Sequence, residues 1–264
     1  MIPTDSPIQP RAMNGDFLQL LPENPLAGVN LNASSERHHV DATTVFAFHY
    51  RDGVIMVGDH RATAGNIVFT DKVEKIVDVD EASLMAIAGS PAVAFEMTRT
   101  LQTSFEFYRR SQLQRMSLRA RTRALSQLLR NNMPAALQGI GLVVPVFAGI
   151  DLQLPTPAPV IFFYDPLGAQ FEATDFAASG SGSPSIRSAL SYLEQWGSPK
   201  PRELDLEAAI VLANRLLITA AEIDTATGGV DPGLGRFATV KTLTTEGIST
   251  ISDDQQAEFW TKGL

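Results

Sequence analysis

Two apolar runs rich in β-branched and aromatic residues, TTVFAFHY at 43–50 and GVIMVGDH at 53–60, stand either side of the turn Arg51-Asp52-Gly53. Each is too short for a helix, and the Asp-Gly step suits a hairpin, so the pair reads as strand, turn, strand. Two further strands, KIVDV at 75–79 and SLMAIAG at 83–89, meet at Asp80-Glu81. The period then changes. Val93, Met97, Leu101 and Phe105 recur every four residues, and a second helical stretch from 117 towards 133 gathers Leu118, Leu125, Leu128 and Leu129 on one side. Strands return as LVVPVFAGI (142–150), VIFFYD (160–165) and AQFEATDF (169–176), the last two joined across Asp165-Pro166-Leu167-Gly168. Helices are expected near 184–196 and 205–223, the second with Leu206, Ala209, Ile210, Ala213, Leu216, Leu217 and Ala220 on one face. Strands near 236–243 and 247–251 close the pattern.

Hairpins separated by consecutive helix pairs do not match alternating strand–helix–strand units, which disfavours a parallel dinucleotide-binding sheet. Two antiparallel sheets covered by helix layers fit better. The composition changes near residue 42. Before it, Pro3, Pro7, Pro10, Pro22 and Pro25 lie among polar residues without sustained periodicity, so residues 1–42 read as a flexible leader and 43–264 as the folded domain.

Several function classes drop out. A formal net charge of −8 argues against a broadly basic nucleic-acid surface. Arg109, Arg110, Arg115, Arg119, Arg121, Arg123 and Arg130 form a local exception, read as a solvated helix pair or a subunit contact. No run approaches the roughly 18 apolar residues of a membrane span, and the first residues lack a secretion signal. Without cysteine there is no disulfide, thiolate metal site or cysteine nucleophile. His38 and His39 are adjacent in the leader while His49 and His60 stand alone, so no metal spacing exists and no cofactor is called for.

The polar residues at strand ends are the unusual feature. Asp59 ends one apolar strand and Lys75 begins another; each alone reads as a surface residue. With the Thr43-Thr44 pair they supply a hydroxyl, an amine and a carboxylate. A threonine hydroxyl needs a neighbouring base to become a nucleophile. A buried lysine is one such base, and an N-terminal α-amine, with a reference pKa of about 7.7–8.0, is another. GSGS at 180–183 precedes a helix and reads as a tight turn with a serine N-cap, since the phosphate-cradling GK[ST] is absent. DTATGG at 224–229 ends a helix and reads as a glycine C-cap.

Taken in order, TTVFAFHYRDGVIMVGDHRATAGN, VEKI, IAGSPAV, ASGSGS and DTATGG resemble the β-type subunits of bacterial proteasomes. These are threonine peptidases of the N-terminal nucleophile hydrolase superfamily. The likeness runs from Thr43 to about Val240, without insertion or deletion as far as Gly89. It implies an α+β fold, a four-layer αββα sandwich of two antiparallel sheets flanked by helix pairs. It also implies roles. Thr43 resembles the nucleophile, freed by cleavage after Ala42, and Asp59 with Lys75 its supporting pair. Ser181, Asp224 and Thr227 resemble the cluster that orients the free α-amine, with threonine where the family often has serine. Gly89 resembles the oxyanion donor through its backbone N–H. Ala62, Val73, Ile87 and Pro91 resemble the pocket for the residue before the cut, all uncharged, which implies a preference for apolar side chains. Thr63, with the Gly89 backbone, resembles the part that pairs with the substrate main chain.

The implied partners are identical subunits in seven-membered rings stacked as a double ring, α-type subunits with an ATPase unfoldase in one variant of the assembly, and unfolded polypeptides. Nucleic acid and membrane are not among them, and the implied compartment is the cytoplasm. Two positions depart from the pattern. The family has glycine where this chain has Ala42, whose Cβ restricts the turn used in self-cleavage. His60 stands where a basic or small residue is common, and reads as a surface or loop residue. Two other readings stay open: a non-catalytic structural ring subunit, and an N-terminal nucleophile amidohydrolase acting on small amides.

Overall fold

A computed structural model describes residues 43–64, 67–138 and 141–263; the leader reading and Ala42 lie outside them. The chain opens with the hairpin of β1 (Thr44–Tyr50) and β2 (Gly53–Gly58). A short ribbon, β3 (Ala62–Ala64) with β4 (Ile67–Thr70), leads to β5 (Ile76–Asp80) and β6 (Ser83–Ala86). Helices α1 (Pro91–Gln112) and α2 (Leu118–Leu137) come next. The strands β7 (Val146–Ile150), β8 (Pro159–Tyr164), β9 (Gln170–Ala173) and β10 (Phe176–Gly180) follow. Then come α3 (Ser183–Trp196), α4 (Leu206–Ile223), the hairpin of β11 (Thr239–Thr244) and β12 (Gly247–Ile251), and α5 (Asp253–Lys262).

Side chains on a strand alternate between faces, and here the alternation builds three apolar layers. Val45 and Ala47 of β1, Val54 and Met56 of β2, Leu84 and Ala86 of β6, and Val146, Ala148 and Ile150 of β7 pack together between two sheets. The intervening Phe46, Phe48, Ile55 and Val57 face outward onto Ile186 and Leu190 of α3 and Ile210, Ala213 and Leu217 of α4. Met85 and Phe147, with Phe162 and Tyr164 of β8, face the other way onto Met97, Leu101, Leu125 and Leu129 of α1 and α2. One sheet runs β10-β1-β2-β11-β12, the other β5-β6-β7-β8-β9, and their ladders are antiparallel. The architecture is the four-layer αββα sandwich expected.

Several local expectations are corrected. AQFEATDF is not one strand: β9 ends at Ala173 on β8, and from Phe176 the chain pairs with β1 in the other sheet, having crossed at Thr174-Asp175. The β3–β4 ribbon and α5 were not anticipated, although Ser252 and Gln255 form a capping box at the start of α5. The N-cap of α3 is Gly182 without a side-chain cap, and α4 ends on Asp224, not on a glycine. Arg121 is not solvated. It is buried against the second sheet, where its guanidinium donates to the Ala82 carbonyl at 3.0 Å and to the Ser83 hydroxyl.

Candidate active site

The site forms where β1 begins. Thr43 is buried, and its carbonyl accepts the Ser181 N–H at 3.0 Å. The strand can come this close only because residue 180 is glycine. Gly180 has φ +94°, and a Cβ there would stand 1.6 Å from the Thr43 carbonyl oxygen.

Asp59 lies just past the end of β2, directly across from the start of β1. Its Oδ1 accepts the Thr44 N–H at 2.8 Å and the Lys75 ammonium at 2.5 Å. Its Oδ2 accepts the N–H groups of Arg61 at 3.0 Å and Gly228 at 2.8 Å. Four donors therefore hold a carboxylate whose side chain has no solvent exposure, beside a lysine that is only 3% exposed. Breaking such a buried pair from one side is strongly destabilising, because the remaining charge loses its compensation. The Lys75 Nζ donates also to the Arg61 carbonyl at 2.5 Å. Burial pushes the Lys75 amine below its ordinary value, with the Asp59 carboxylate pulling the other way. A lysine so placed gives up its proton more readily than one in water.

The motif GSGS meets DTATGG next to this pair. The Thr227 hydroxyl lies 2.6 Å from both Asp224 Oδ2 and the Thr44 hydroxyl. A carboxylate only accepts, so Thr227 donates to Asp224 and Thr44 in turn donates to Thr227. Thr44 Oγ1 also accepts the Gly182 N–H at 3.0 Å. Asp224 takes further hydrogen bonds from the Ser181 side chain and the Ala226 N–H. Burial works to raise the Asp224 carboxyl, but the bonds from Ser181, Thr227 and Ala226 outweigh it and hold the group below the usual aspartate value. Thr44 is the link that the sequence reading missed; the Thr-Thr pair was its only signal.

A small recess opens beside Thr43. Ala62, Val73, Ile87 and Pro91 line it, together with Lys75, Gly89, and two residues not foreseen, Glu74 and Phe95. Phe95 sits one turn beyond Pro91 on α1, which is a legible i, i+4 relation. Thr63 is not part of this lining; it is buried on β3 opposite Val68. Gly89 faces Val143 in an isolated antiparallel bridge. The ladder bonds there are made by its neighbours, Ser90 N–H to the Leu142 carbonyl at 2.7 Å and Val144 N–H to the Ala88 carbonyl at 2.9 Å. In such a pair the central residue's own N–H points away from the partner strand. His60 is half-buried, its ring nitrogens 3.4 Å from the Thr239 hydroxyl of β11.

The family model described as proteasome subunit matches residues 40–231. Proteasome subunit beta 2 of Thermomonospora curvata is 40% identical over 217 residues, covering 82% of this chain and 74% of that protein. Proteasome subunit beta of Acidothermus cellulolyticus is 37% identical over 214 residues, 80% of this chain and 71% of that one. That of Streptomyces griseus is 34% identical over 217 residues, 82% and 74%. With the layered architecture and the clustered motifs, these likenesses settle the assignment: the chain belongs to the proteasome subunit family, as a β-type subunit.

Proposed function

We propose that this subunit is a threonine endopeptidase of a ring-shaped assembly, with Thr43 as nucleophile once residues 1–42 are removed. The observation that carries the reading is a single recess shared by Thr43, the buried Lys75 of the Asp59 pair, and Gly89. The Thr43 hydroxyl attacks the scissile carbonyl, and its proton passes to a neutral amine, that of Lys75 or the freed α-amine. The oxyanion is met by the Gly89 N–H, a contact whose loss typically costs about two to three powers of ten in rate. The leaving amine takes the proton, and water then hydrolyses the ester on Thr43. Ser181, Asp224 and Thr227 orient the α-amine. Ala62, Val73, Ile87, Pro91 and Phe95 make the recess favour an apolar residue before the cut, while Thr63 and the Gly89 backbone pair with the substrate main chain.

The assembly we infer is seven-membered rings of identical subunits stacked as a double ring in the cytoplasm, admitting unfolded polypeptide. The test is Thr43→Ala in purified protein, with intact mass and N-terminal sequencing of the wild type alongside. Wild-type chains should begin at Thr43 and cleave peptides after apolar residues, and Thr43→Ala should remove that activity. Retained activity would show that another group is the nucleophile. A native mass that matches a double ring without added partners would support identical subunits throughout.

A further inference from the structure

Lys241 is a second buried lysine, and the chemistry above makes no use of it. It lies on β11 opposite Met56 of β2, and Met56 belongs to the layer between the sheets. Cross-strand partners share a face, so Lys241 projects inward from the sheet that carries Thr43. Its ammonium reaches across to the other sheet, 3.0 Å from Glu74 Oε1 and 3.0 Å from Asp78 Oδ1. The two carboxylates, 64% and 51% exposed, flank Lys75 and the start of β5, whereas the Lys241 side chain is 8% exposed. Burial works to lower the Lys241 amine, but Glu74 and Asp78 outweigh it and keep it charged.

Residues 71–75 precede β5 without regular structure; besides the Lys75 bonds to Asp59 and the Arg61 carbonyl and the Arg61–Asp71 ion pair at 2.9 Å, they are tied by the Val73 N–H to the His60 carbonyl at 3.0 Å and by the Ile87 N–H to the Lys75 carbonyl at 2.8 Å. Behind the wall made by Val73, Glu74 and Phe95 lies an open cleft of about 640 Å³, which Asp78 and Lys241 also line. We infer that Lys241 is a positioning residue: its double ion pair adds to the Asp59 pair in tying the segment carrying Lys75 and Val73 to the sheet carrying Thr43, and so helps set the distance between amine and nucleophile. A misplacement of about 1 Å at a reacting group costs up to about a hundredfold in rate.

This inference rests on the peptidase reading, and the experiment separates the two. Lys241→Met keeps the length of the side chain and removes its charge; Lys241→Arg keeps the charge. Both are measured in the assembled, processed protein for kcat and KM, and for amide hydrogen exchange at Val73 and Ile87. Lys241→Met should lower kcat about ten- to a hundredfold with KM little changed, and speed exchange at both amides. Lys241→Arg should restore both. The variant Glu74→Gln with Asp78→Asn removes the same tie from the solvent side and should behave like Lys241→Met, which covers the case where that variant does not assemble. Unchanged exchange, or faster exchange with kcat within about twofold of wild type, would overturn the role given to Lys241 and leave the peptidase reading intact. A wild-type protein that cleaves no peptide would sink the peptidase reading, and exchange alone would then decide whether the tie exists.

Discussion

The Thr44 hydroxyl accepts the Gly182 N–H and donates to Thr227, whose own proton goes to Asp224. Thr44→Val keeps the shape and removes both functions, leaving a buried N–H without its partner. It should cost about 1–3 kcal/mol in denaturant unfolding, whereas Thr44→Ser should lose much less. Asp224 gives a pH signature. Its folded value lies below the ordinary 3.8, so its contribution to stability is complete above 3.8 and is lost as pH falls through the folded value. Unfolding of wild type and Asp224→Asn, followed with pH, should therefore differ by a constant amount above about pH 5 and converge in stronger acid. The order of the motifs was enough to name Thr43, Asp59, Lys75, Ser181, Asp224 and Thr227 as neighbours. It gave Thr44 no duty of its own, because that depends on which strand face its hydroxyl takes. Glu74 was illegible for a different reason: an exposed acid in an irregular segment has no periodicity to betray it.

Elements were legible where their period was long and clean. The four-residue recurrence from Val93 to Phe105 located α1, and Pro91 at its first turn marks the start. Short elements escaped. The β3 segment is Ala-Thr-Ala and its partner β4 carries Ile67, Val68 and Phe69 largely exposed, so neither shows an apolar face turned inward. The break between β9 and β10 also escaped, since β-forming residues continue on both sides of Thr174-Asp175 and only the pairing partner changes. The turn ahead of α1 permits a sharp test. Gly89 has φ +103°, and a Cβ there would lie 2.1 Å from the Leu142 carbonyl oxygen. Gly89→Ala should therefore destabilise by about 1–3 kcal/mol. Under the proposed mechanism it should also depress kcat more than KM, by moving the N–H assigned to the oxyanion, which steady-state kinetics on a soluble peptide would show.

The αββα order could be read from the whole sequence because hairpins and helix pairs come in blocks, and strand alternation then decides which face meets which layer. The strand order of the sheet that carries β1 could not, because β1 pairs with β10 and β2 with β11 across more than a hundred residues of chain. Processing is the prediction that belongs to the entire chain. Ala42→Gly should accelerate release of Thr43, since glycine reaches turn conformations that a Cβ disfavours, and intact mass followed over time would register it; equal rates would mean that residue 42 is not what limits cleavage. The hydrogen bond between Thr44 and Thr227 spans 183 residues, and that between Asp59 and Gly228 spans 169. At the ~5–20 residues per second of synthesis, the first strand waits roughly ten to forty seconds on the ribosome for the partners that complete its surroundings. On the peptidase function proposed above, a growing chain carries its Thr43 hydroxyl in an unarmed state, and the same reach across the sequence that hides the site from a local reading would keep an unfinished subunit from cutting its neighbours.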